Sequence, residues 1–73
     1  MNGNVDEQTR EIVFTRFAQQ AKLTAKEATV VPAVLDTAFE HSSLCNMQQF
    51  VSMILRSEEL KDYLAGICRR VAQ

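Results

Sequence analysis

Pro32 is the only proline of the chain, and it stands inside the densest apolar run, residues 23–39. A proline in a helix interior has no amide proton, and its ring clashes with the carbonyl four residues back, at a cost of ~3 kcal/mol. The run nevertheless opens with a strong helix-start signal. Thr24 followed three residues later by Glu27 makes a capping box, in which hydroxyl and carboxylate each accept from the other's backbone amide. Leu23, just before the cap, is placed to touch Ala28 as a staple. Counted from Thr24, Pro32 falls in the third turn against the carbonyl of Ala28, and it also pushes Val31 away from helical angles. One solution is a short turn at residues 25–30 and then a fresh helix with Pro32 in its first turn, where proline fits. The other is a single helix kinked near Ala28. Either way the stretch is split or sharply kinked at Pro32, not a straight rod. Ala28, Val31, Leu35, Ala38 and Phe39 recur at helical spacing, with Val30 and Val34 in an adjoining row. An arc that broad predicts contact from more than one side, and this helix is expected to be the hub.

The flanking sequence is also helical. Residues 1–4 read as a flexible tail. Asn4 can cap a first helix over 5–22, with Asp6 and Glu7 in its positive first turn. Ile12, Val13, Phe14, Phe17, Ala18 and Ala21 supply its apolar side, while Gln8, Glu11, Thr15, Gln19 and Lys22 lie opposite. A polar connector from Glu40 to Cys45 follows the central run. Asn46 then caps a third helix, with Gln49 completing a box, and Met47, Phe50, Val51, Ile54 and Leu55 are its expected buried side. Ser57 before Glu58 and Glu59 marks a fourth start, so a break is expected at Arg56–Ser57; the alternative is one long helix, since Met53, Leu60, Leu64, Ile67 and Val71 keep a tolerable phase. Leu60, Tyr63, Leu64, Ile67, Cys68 and Val71 continue the spacing, and Arg69 and Arg70 complement the C-terminal dipole. No strand pattern or repeat interrupts this. The expected fold is all-α, a small four-helix bundle-like domain spanning 5–73.

Size and composition narrow the function. A 73-residue chain supports one domain and buries only ~60% of its unfolded surface, a marginal core for an isolated monomer. Two cysteines cannot build a disulfide framework, so reduced thiols and a cytoplasmic location are expected. The polar, acidic N-terminus does not read as a signal peptide, and no run approaches the ~18 apolar residues of a membrane span. Eight basic against nine acidic residues leave a net charge of −1, which disfavours nucleic-acid binding through bulk electrostatics. His41, Cys45 and Cys68 are the only soft metal ligands. They are one short of a closed structural zinc site and lack paired spacing, so packing roles are expected and no metal or cofactor is predicted. With one histidine, no glycine-rich phosphate loop and no evident carboxylate pair, the chain is not expected to be an enzyme.

Two surfaces stand out. Met47, Phe50, Met53, Ile54, Tyr63 and Leu64 exceed what one stripe of a small bundle needs, and methionines and aromatics adapt well to partner surfaces. Gly66, inside a helix at a cost of ~1 kcal/mol against alanine, marks a close approach of another backbone, such as a subunit contact. Met47, Phe50, Met53, Tyr63 and Gly66 are the expected partner-binding set of a regulator or adaptor that acts through helix–helix contacts, as a homodimer or with another protein. The alternative is a helix-turn-helix DNA-binding regulator. Its recognition helix would present Gln48, Gln49, Ser52 and Arg56, residue types suited to adenine and guanine edges. That alternative expects a basic stripe joining Arg56 with Lys22, Lys26 or Arg69.

Overall fold

The computed structural model describes residues 7–44 and 46–73. The expected tail, the Asn4 cap with Asp6, and Cys45 lie outside the described residues. Five helical segments follow in order: α1 (Glu7–Gln20), α2 (Ala25–Ala28), α3 (Val31–Glu40), α4 (Met47–Arg56) and α5 (Glu58–Ala72). No strand occurs among the described residues. The architecture is four longer helices plus the single turn of α2.

The chain reverses after α1 through Lys22, which adopts φ +59°. The Lys22 amide donates to the Gln19 carbonyl at 3.1 Å and the Leu23 amide to the Ala18 carbonyl at 3.0 Å. This pair of bonds is the Schellman motif, whose left-handed position is usually glycine. A lysine there carries a steric cost of about 1 kcal/mol. Thr24 then starts α2 with the full reciprocal box, Glu27 N–H to Thr24 Oγ1 at 3.1 Å and Thr24 N–H to Glu27 Oε1 at 2.9 Å.

Pro32 lies in the first turn of α3, so the central run is two helices separated at Thr29 and Val30. At the start of α4, Asn46 Oδ1 accepts from the Gln49 amide at 3.1 Å. The expected reciprocal bond from the Gln49 side chain is not made, so only half of that box forms. Ser57 ends α4 and starts α5 in a single extended residue, φ −112° and ψ 112°, with Oγ accepting from the Leu60 amide at 3.2 Å.

The core joins all four longer helices. Phe17, Val31, Leu35, Val51, Ile54 and Cys68 are each at most 1% exposed. α1 packs against α4 and α3, while α5 packs against α2, α3 and α4. The hub is therefore α5 and not the central run. Splitting at Pro32 leaves α3 only ten residues, about 15 Å, whereas the fifteen of α5 reach about 22 Å. Three side-chain contacts tie distant segments. Arg10 Nη2 donates to Asp36 Oδ2 at 2.9 Å while its guanidinium lies 4.9 Å from the centre of the Phe14 ring. The Phe39 and Phe50 rings meet edge-on, centroids 5.5 Å apart. Arg69 Nη2 donates to the Ala21 carbonyl at 3.2 Å, fastening the end of α1 to α5.

Not every residue of the apolar helical rows is buried. Ile12, Leu60 and Val71 are exposed, and so is Tyr63, one of the expected partner-binding residues. The apolar arcs of α1 and α5 are wider than their neighbours cover, because the short α3 cannot screen the outer flank of α5. No helix among the described residues is long and apolar enough to cross a membrane.

Candidate functional site

The exposed flank of α5 forms one wall of an open groove. Tyr63, Ile67 and Val71 follow one another at steps of four and line it from α5; Val34 and Ala38 of α3 and His41 just beyond face them. The groove encloses about 580 Å³. Its apolar character follows from helical spacing. The same α5 arc that sends Leu64, Ala65 and Cys68 inward continues round to Leu60, Tyr63, Ile67 and Val71. Tyr63 is 64% and Val71 57% exposed, so this flank is largely open to solvent. The polar end is fixed locally, since His41 Nδ1 donates to the Thr37 carbonyl at 2.9 Å and the ring is held against its own helix.

The five residues expected to bind a partner separate into two groups. Met47 and Phe50 are 4% and 5% exposed and belong to the core, where Phe50 meets Phe39. Met53 and Tyr63 are exposed on different helices, and Tyr63 lines the groove. Gly66 is partly exposed, and a Cβ built on it would meet nothing within 4 Å. No close approach among the described residues accounts for this glycine. In the sequence, the groove residues Val34, Ile67 and Val71 are members of apolar helical rows and nothing more. Only the pairing of α3 with α5 reveals them as a surface, and periodicity carries no signal for that pairing.

Gln48, Gln49, Ser52 and Arg56 share one face of α4 and line a single shallow depression. The face lies opposite the buried Met47, Phe50, Val51 and Ile54. The principal packing of α3 is onto α5 and α1, and α3 meets α4 through the Phe39–Phe50 pair. Lys26 and Arg69 line one depression together with Glu27, and Arg56 lines a different one.

Of the three soft ligands, Cys68 and His41 are described, and they lie in different surroundings. Cys68 is fully buried in the core, where burial pushes its thiol pKa up, against a smaller opposing effect of Arg69. His41 is exposed, and Cys45 lies outside the described residues. No group of three histidine, cysteine or carboxylate side chains suited to a metal occurs among the described residues. No protein-family model, no curated protein and no solved structure matches the chain.

Proposed function

We propose that the chain is a small protein-binding module, a regulator or adaptor that works through helix–helix contacts at the groove between α3 and α5. The observation that carries the reading is this groove itself: a long apolar flank of α5, with Tyr63 and Val71 more than half exposed, left open beside α3. An amphipathic helix laid along such a groove places side chains at i, i+3, i+4 and i+7 against it. Binding energy in contacts of this kind concentrates in a few aromatic and aliphatic anchors, and Tyr63 has the required character.

A photo-crosslinking residue placed at position 63 in cells tests this directly. A protein adduct should form at 63, should be lost when Val71→Glu is added, and should be absent with the probe at Gln48. Without an adduct at 63 above the Gln48 control, the reading fails.

One observation favours a second reading. Gln48, Gln49, Ser52 and Arg56 are gathered on one exposed face of α4, as a DNA-reading helix requires. A nucleic-acid adduct from the probe at Gln48, together with a specific gel-shift complex at low salt that Arg56→Ala abolishes, would replace the first reading with this one.

A further inference from the structure

The outer face of α5 carries a pattern that matches its own reverse. Glu59, Tyr63, Gly66 and Arg70 are spaced by four, three and four residues, so they fall within about 60° of one another around the helix. Glu59, Tyr63 and Arg70 are exposed and Gly66 is partly so. The midpoint of the stripe lies between Leu64 and Ala65. Glu59 and Arg70 stand about 8 Å to either side of it along the axis, and Tyr63 and Gly66 about 2 Å. Turned end for end, the stripe sets an acid against a base twice and a ring against the bare backbone of a glycine twice. We propose that the partner at this face is a second copy of the chain, docked antiparallel through α5 about that midpoint. The proposal rests on the protein-binding reading above and names its partner.

Three features favour this occupant. The charges are complementary only in the antiparallel sense, because a parallel pair would set Glu59 on Glu59 and Arg70 on Arg70. Neither residue has an ion-pair partner within the chain among the described residues; the ion pairs there are Arg10–Asp36 and Glu58–Lys61. Gly66 has open space beside it, and an incoming Tyr63 ring would fill that space. The same docking covers Tyr63 at the edge of the groove and runs beside Ile67, which lies about 40° round the helix from it.

Sedimentation equilibrium across the micromolar range, on the full chain and on charge-exchanged variants, tests the proposal. Glu59→Arg and Arg70→Glu should each weaken dimerisation about tenfold or more, since each places like charges together at two symmetric points. The double variant E59R/R70E should return to within about threefold of the parent, because the pairs are re-formed in reverse. Gly66→Leu should also abolish association while the helical circular dichroism is kept, as a Cβ at this position meets nothing within 4 Å and leucine favours the helix over glycine. A parent of single-chain mass throughout the range overturns the proposal, and so does dimerisation indifferent to all four variants. If Val71→Glu dissociates the dimer while the charge exchanges have no effect, the antiparallel docking is overturned and the groove reading stands. A single-chain mass with a surviving cross-link at position 63 likewise removes the second copy and keeps a different protein partner.

Discussion

Lys22 and Cys68 show how single positions set local cost in this chain. Lys22 takes the left-handed conformation at the end of α1, where its Cβ is crowded by backbone. Lys22→Gly relieves that crowding and preserves both Schellman bonds. The substitution should raise unfolding free energy by about 1 kcal/mol, read as an increased midpoint in chemical denaturation. Cys68 makes stability depend on pH. Its folded pKa is raised above the ordinary value of 9.0, chiefly by burial. As pH rises, the unfolded chain therefore loses this proton first, while the native chain holds it. The contribution is complete below the unfolded pKa and is lost as pH climbs through the folded one. Denaturation in a Cys45→Ser background should show stability falling more steeply above pH ~9 with Cys68 than with Cys68→Ala.

The elements were legible in the sequence wherever a short-range rule decides them. Pro32 divides the central run because its missing amide proton and ring are tolerated only in a first turn, and Thr24, Asn46 and Ser57 each begin a helix with a side-chain cap. Thr24→Ala should cost about 1 kcal/mol, since it removes the hydroxyl that accepts from the Glu27 amide in the only turn of α2; an unchanged denaturation midpoint would contradict this. Other features carried no local signal. A lysine gives no warning of positive φ, where a glycine would have done. The Gln49 half of the Asn46 box was expected on residue type, but its side chain makes no return bond. Tyr63, Leu60 and Val71 keep helical phase with the core, yet periodicity does not say which part of a wide arc the neighbours reach. Met47 and Phe50 have the composition of interface anchors and lie in the core for the same reason.

At the scale of the molecule, contacts between distant segments hold the arrangement, and these were the least visible beforehand. Arg10 and Asp36 are 26 residues apart, and their bond joins α1 to α3 across the part-exposed surface. The hydrogen bond to Asp36 is the main cause of the raised Arg10 pKa. With the side chains 33% and 43% exposed, solvent screens the pair, so Arg10→Ala should cost about 1 kcal/mol at most, including the contact with Phe14. Asp36→Asn, which spares the ring contact, should cost less in the same thermal melt. The junction at Ser57 has a different kind of consequence, for how the chain can vary in length. One residue closes α4 and opens α5, so there is no slack between them. A residue added within the first turn of α5 would rotate everything after it by about 100°, carrying Leu64 and Cys68 out of the core. A residue added after Ser43 lengthens a connector, at a loop-closure cost of a few tenths of a kcal/mol and the loss of the Leu44 N–H bond to Ser42 Oγ, without rotating a helix. Natural or engineered insertions should therefore accumulate near Ser43 and be absent between Ser57 and Lys61, so that the helix bearing the open flank is the one whose length cannot drift.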